Sequence, residues 1–331
     1  MSKDEYESSI IDEYKRCHES FSYFCENYIK INHFRHGLIN LKLYPFQQRL
    51  IDAYEGNNFV IGAKFRQGGF TTITVIYGLW RCMFYMDQIF NVYAKTDREA
   101  IHLGKIAAKA IQNLPDWMQP KMVRNTQHEK KFTETNSQLS FYTLIAAKGR
   151  SCTHVYIDEA AYIKGMEEEW RALYPTLACG ERCYVLSTVN GMGNWFEKTY
   201  HDAMNKENHF HIYDAHYSEH PDFQDEEHLA QIKKNLGEKA FLIEMEKCFL
   251  SEWVPTEPPK LADQLLDIAA KRRLSKEERS ALIEAACRLK YETEEEQARR
   301  RIRELEEMKF QILKNNVETL ELQSNLSSPS T

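Results

Sequence analysis

The chain has 331 residues and carries 43 Lys and Arg against 49 Asp and Glu, a formal net charge of −6. That balance excludes a protein that coats nucleic acid through a broad basic face and leaves only local basic loops for such contact. No apolar run approaches the roughly 18 residues of a membrane span. The stretch 1–10 is acidic and polar rather than a secretory signal. The eight cysteines form no CxxC pair. They read as reduced thiols filling core space, so a cytoplasmic protein without membrane contact is expected.

In chain order, residues 4–30 read as helical and rich in Tyr and Phe, part of a lead (1–40) that packs on the body or forms a lid. The body, 41–254, alternates β-type runs with helical patterns. Strands are predicted at Asn58–Ala63, Gln88–Ala94, Gln138–Ile145, His154–Asp158, Arg182–Ser187 and His209–Asp214. Helices are predicted over 70–85, 97–114, 194–206 and 224–247, the last broken near Gly237. Strands separated by helices predict an α/β fold, a mainly parallel central sheet flanked by helices. Lys130–Thr143, with a turn at 135–137, reads as a hairpin insert.

Composition changes after Pro255: all 13 Gly lie before it, and only Tyr291 and Phe310 of the aromatic residues lie beyond it. Pro255–Pro259 reads as a linker into a charged helical tail, 255–331, with helix-start signals at Ser275–Glu278 and Thr293–Glu296. Ile302, Leu305, Met308 and Ile312 form a stripe suited to a short coiled coil or to a solvated helix. Arg299–Arg301 is flanked by Glu and reads as a solvated charge run, and 325–331 as disordered.

The most informative stretch is Phe59–Thr72. A β-type run enters a glycine-containing loop that opens a helix with hydroxyl residues at its start, the arrangement of a P-loop. There backbone N–H groups and a helix N-terminus face phosphate, and a Thr hydroxyl can ligate Mg²⁺. The pattern GxxxxGK[ST] is not met: Gly69 and Thr71 fit, Phe70 stands in place of the Lys, and Lys64 in place of the first Gly. The phosphate charge must then be met by Lys64 or Arg66.

A second apolar run ends in Asp158-Glu159, the Walker B form. The Asp can hold Mg²⁺ through water and the Glu can orient or deprotonate an attacking water. A third run ends in the small polar residues Ser187, Thr188 and Asn190, able to sense a γ-phosphate from a neighbouring strand. Three polar strand ends imply one crevice at the carboxyl edge of the sheet. Upstream, the amide of Gln47 or Gln48 presents the donor and acceptor that match an adenine edge.

In this order the segments resemble the ATPase domain of the large terminase subunit of tailed bacteriophages, over about residues 20–250. The early basic residues of Lys64-x-Arg-Gln-Gly-Gly-Phe-Thr-Thr72 are typical of that family. The resemblance implies a P-loop NTPase fold and ATP and Mg²⁺ as cofactors. Lys64, Arg66, Gln67, Gly68, Gly69, Thr71 and Thr72 would surround the nucleotide, with Gln47 at the base. Thr71 and Asp158 would serve the metal, Glu159 would be the catalytic carboxylate, and Ser187, Thr188 and Asn190 would couple. Arg150 lies near the family's finger for a neighbouring subunit's nucleotide, and reads equally as a surface loop residue.

The resemblance further implies translocation of viral double-stranded DNA into procapsids in the host cytoplasm. The partners would be the portal, a small terminase subunit and further copies in a ring. The tail shows no β-type runs, so no nuclease half is expected in it, and cutting would fall to a separate chain. Other functions compatible with the residues are a helicase-like motor module and a nucleotide-binding interaction protein with little hydrolysis. Six histidines in 201–228, including His209, His211, His216 and His220, have spacings that a metal or a plain surface can explain.

Overall fold

A computed structural model describes residues 3–33, 37–147, 149–178 and 180–249. The expectations for the tail (its linker, helix starts, apolar stripe, arginine run, final residues and want of a nuclease) lie outside the described residues.

The chain begins with helices α1 (Lys3–Glu19) and α2 (Phe21–Tyr28) and a small antiparallel hairpin, β1 (Lys30–His33) and β2 (Gly37–Asn40). Helix α3 (Pro45–Gly56) starts on a proline whose missing N–H costs nothing at that position. There follow β3 (Phe59–Ala63), α4 (Phe70–Phe84), β4 (Ile89–Ala94) and α5 (Asp97–Gln112). Next come β5 (Met122–Asn125), β6 (Glu129–Phe132), β7 (Gln138–Thr143), β8 (His154–Asp158) and α6 (Met166–Leu177). The last elements are β9 (Arg182–Ser187), α7 (Trp195–Met204), β10 (His211–Asp214), α8 (Glu226–Leu236) and α9 (Glu238–Glu244).

Eight strands form one sheet in the order β10-β3-β9-β8-β4-β7-β6-β5. The pairs from β10 to β7 are parallel, and β6 and β5 continue antiparallel at one edge. The expected hairpin at 130–143 exists as β6–β7, but it is no insert: β7 pairs in parallel with β4 over Ile89–Ala94 and so belongs to the main sheet. The run predicted to reach Ile145 leaves the strand after Thr143 for a short 3-10 turn.

Side-chain alternation sorts the strands' residues to two faces. Val60, Val92, Tyr156, Tyr184 and Leu186 join the core under α1–α5, while Ile61, Tyr93, Val155, Ile157 and Val185 join the core under α6 and α7. Strand β8 is buried along its whole length, as a central parallel strand requires. The lead helices are part of this packing: Cys17, Phe21, Phe24 and Cys25 sit in the first core, and Trp80 Nε1 donates to Cys17 O at 2.7 Å. Cys17, Cys25, Cys82, Cys152, Cys183 and Cys248 are buried free thiols. No helix among the described residues is long and apolar enough to cross a membrane.

Candidate nucleotide-binding site

The loop between β3 and α4 is shaped by two glycines. Gly69 adopts φ +73°, the left-handed region, and caps α4 without a side-chain hydrogen bond. The first-turn N–H groups of α4 therefore have no side-chain cap and form a natural anion seat. A Cβ at Gly68 would fall 2.3 Å from the Phe70 ring, so only glycine fits beneath it. Phe70 is itself buried against Phe46, Phe65 and Tyr213, which explains an aromatic residue where a P-loop lysine is usual. Gln67 has φ +63° and is exposed, and Thr72 follows Thr71 on the first turn of α4.

Lys64 takes up the charge. Its Nζ lies 2.7 Å from Asp158 Oδ1, 3.1 Å from Glu159 Oε1 and 3.1 Å from Thr71 Oγ1. The Thr71 hydroxyl donates to Asp158 Oδ1 at 3.1 Å, and the Tyr156 hydroxyl donates to the same oxygen at 2.6 Å. Burial alone would lower the lysine's pKa, but Asp158 and Glu159 outweigh it and hold the ammonium above its ordinary value. Burial, reinforced by Asp158, pushes the Tyr156 phenol well up, so it remains a proton donor. The loop and the Asp-Glu pair, 87 residues apart from Thr71 to Asp158, thus converge on one point.

Glu159 adopts φ +52°, which turns its side chain toward β9. Its Oε2 accepts from the Thr188 N–H at 3.0 Å, the Thr188 hydroxyl at 2.9 Å and the Ser187 hydroxyl at 3.3 Å. Asn190 donates to Ala161 O at 3.1 Å, one turn beyond the acidic pair. Strand β9 lies between β3 and β8, and Ser187 O also accepts the Lys64 N–H at 2.8 Å. Ser187 is thus bonded to both halves of the site, while Thr188 and Asn190 are bonded to the half that carries the acidic pair.

Three sequence-predicted residues are engaged elsewhere. Gln47 is 4% exposed, its Oε1 accepting from the Tyr44 N–H at 3.0 Å and its Nε2 donating to Gly68 O at 2.9 Å. The guanidinium of Arg66 forms a two-pronged pair with Glu244 of α9, at 2.6 and 3.0 Å. Arg150 lies with Cζ 3.9 Å over the Tyr142 ring and donates from Nε to Ala146 O at 2.9 Å, at the β7 end of the sheet. Sequence reading missed Tyr156 and Glu244. Tyr156 carries a signal, lying two residues before Asp158 on the same strand face, whereas Glu244 has none within its own segment.

The oxygens of Thr71 and Asp158 suit Mg²⁺, which is held by one or two carboxylates together with substrate phosphates. The pocket is built for positive charge, because the Lys64 ammonium already rests on the same oxygens. No group of three or more metal-ligating side chains occurs among the described residues, the 201–228 histidines included. His220 is buried against Tyr44 and Phe223, and His216 pairs with Glu246 at 3.1 Å.

No protein-family model matches the sequence. Among solved structures, the large terminase of bacteriophage HK97 is similar with a TM-score of 0.56 at 16% identity, over 75% of this chain and 58% of that one. The ATPase domain of the large terminase of Thermus phage P74-26 gives a TM-score of 0.52 at 16% identity, over 63% of this chain and 94% of the domain. The large terminase of another thermophilic bacteriophage gives 0.50 at 11% identity, over 61% of this chain and 52% of that one. This chain therefore spans little more than half of the whole terminases but nearly all of a solved ATPase domain. The described residues have the fold of the ATPase domains of bacteriophage large terminases.

Proposed function

We propose that the chain is an Mg²⁺-dependent ATPase whose turnover drives viral double-stranded DNA into procapsids. The observation that carries the reading is the convergence of Thr71, Asp158 and Glu159 on the Lys64 ammonium, each within hydrogen-bonding distance of it. The fold likeness supports the same conclusion.

The seat of the phosphates is the first turn of α4 with Gly68, Gly69 and Thr72, and the Lys64 ammonium meets their charge. Thr71 and Asp158 are the residues that would hold Mg²⁺, which when bound neutralises phosphate oxygens and polarises the bond to be broken. Glu159 takes the proton of the attacking water. Thr188 fixes one of its oxygens, so the carboxylate is aimed before substrate arrives. Lys64 lies against the other oxygen and must move from Glu159 toward the phosphates for that carboxylate to act as a base. Ser187 and Thr188 then register loss of the γ-phosphoryl group through Glu159 and Lys64 together. The partners of this reading are double-stranded DNA, the portal of the procapsid, a small terminase subunit, a separate nuclease chain and further copies in a ring. Its place is the host cytoplasm and, transiently, the portal.

The test is Glu159→Gln, measured by calorimetry with ADP and by steady-state ATP hydrolysis with and without DNA. Nucleotide binding should persist while turnover falls by about 10²–10⁴, the usual weight of a general base. Undiminished turnover in that variant removes Glu159 from its role.

A further inference from the structure

Three donors converge on one carboxylate oxygen. Asp158 Oδ1 accepts from the Lys64 ammonium at 2.7 Å, the Thr71 hydroxyl at 3.1 Å and the Tyr156 hydroxyl at 2.6 Å. Among the described residues its Oδ2 meets only the Thr71 hydroxyl, at 3.4 Å. In the ATPase cycle proposed above, Lys64 goes to the phosphates and Thr71 serves the metal. Tyr156 has no second task, so its hydroxyl is the donor left to hold Asp158 while the other two change partners.

The ring is fixed from all sides. Tyr156 is fully buried and lies two residues before Asp158 on the same face of β8. It stands level with Val92 of β4 and Tyr184 of β9, which are buried in the same core. A buried phenol needs a partner for its hydroxyl. The neighbouring tyrosines find theirs in ordinary core groups: Tyr184 donates to Tyr54 O at 3.3 Å, and the Tyr54 and Thr74 hydroxyls share a hydrogen bond at 2.9 Å. Tyr156 instead donates to a carboxylate of the site, in the short geometry of a bond to an ionised acceptor. We infer that Tyr156 is a positioning residue for the metal seat, its hydroxyl holding Asp158 Oδ1 so that Oδ2 is left for Mg²⁺ beside Thr71. The inference rests on the ATPase reading and adds a residue to the metal site of that reading.

The experiment measures Mn²⁺ binding to the ADP-loaded protein, by electron paramagnetic resonance of the free ion, in the wild type, Tyr156→Phe and Tyr184→Phe. Tyr156→Phe removes one oxygen, keeps the ring and leaves Oδ1 with Lys64 and Thr71. Its Mn²⁺ affinity should fall by about 10- to 100-fold, the usual weight of a group that orients a metal-holding side chain. ADP binding in the presence of a chelator, read by calorimetry, should stay unchanged. The Mg²⁺ concentration for half-maximal ATP hydrolysis should rise by the same factor, and kcat should recover as Mg²⁺ is raised. Tyr184→Phe takes a hydroxyl from the same core and should change none of these. Wild-type Mn²⁺ affinity in Tyr156→Phe, an equal loss in Tyr184→Phe, or a kcat that added Mg²⁺ does not restore overturns the inference alone. Should Tyr156→Phe not fold, Tyr156→Leu is measured in its place. Failure of both to fold assigns the hydroxyl to the core and overturns the inference. A wild-type protein that takes up neither ADP nor Mn²⁺ with ADP overturns the ATPase reading and this inference with it.

Discussion

At the scale of single residues, the site is a cation held between two acids. Lys64 is 5% exposed and Asp158 8%, and neither charge is tolerable alone at that burial. Lys64→Met should therefore leave Asp158 and Glu159 facing each other uncompensated and destabilise the fold by about 3–5 kcal/mol, the range for breaking one side of a buried pair. Urea unfolding at neutral pH measures it, and an unfolding midpoint like that of the wild type shows that the carboxylates are solvated enough to dispense with the lysine. Much of this residue-level picture is legible in the sequence. Lys64, Thr71 and Asp158 lie at strand and helix ends, where local pattern alone marks them. What is not legible is where the side chains point. The amide of Gln47 turns back to its own helix start and to Gly68, and nothing in Tyr44–Gln48 encodes the loop it braces, 21 residues away.

At the scale of elements, strand β9 is the connection between the two halves of the site, because it lies between β3 and β8. The strands at 154–158 and 182–187 are readable to the residue, as buried β-type runs closed by polar residues. Strand order, the hairpin β1–β2 and the short edge strand β5 are not, because pairing is decided by distant partners and these segments carry little alternation. Helix α9 illustrates the same limit, since its Glu244 captures Arg66 from 178 positions away. The consequence is functional. Under the proposed ATPase function, Arg66 must leave Glu244 before it can reach a phosphate, so the pair would compete with nucleotide. Glu244→Gln should tighten ADP binding a few-fold by weakening a charge-assisted pair. Arg66→Ala should weaken binding, and in its background Glu244→Gln should have no further effect. Calorimetry on the four proteins of that cycle decides it, and equal affinities throughout would show that Arg66 never engages the phosphates.

At the scale of the whole molecule, Arg150 stands two strands away from the site it is expected to serve. Arg150 is packed on Tyr142 of β7, and β4 stands between β7 and β8, whose end carries Asp158 and Glu159. Its side chain rests on the Tyr142 ring and Ala146 O, and through Tyr142, level with Tyr93 of β4 and Ile157 of β8, it lies two strands across the carboxyl edge from the acidic pair. A guanidinium held there serves a nucleotide only if the nucleotide belongs to a neighbouring copy, as head-to-tail rings allow. Turnover per subunit should then rise with protein concentration, and Arg150→Ala should remove that rise while leaving ADP binding intact. The decisive measurement mixes two inactive proteins. Arg150→Ala keeps Glu159 but offers no finger; Glu159→Gln keeps the finger but lacks the base. In a mixed ring, a Glu159→Gln subunit supplies Arg150 to the intact Glu159 of its neighbour. The mixture should hydrolyse ATP at least about tenfold faster than the sum of its parts, given the roughly 10³–10⁵ that such a finger contributes where it operates. Simple additivity of the two rates would assign Arg150 to the surface of its own subunit and leave transition-state charge to Lys64 and the first turn of α4.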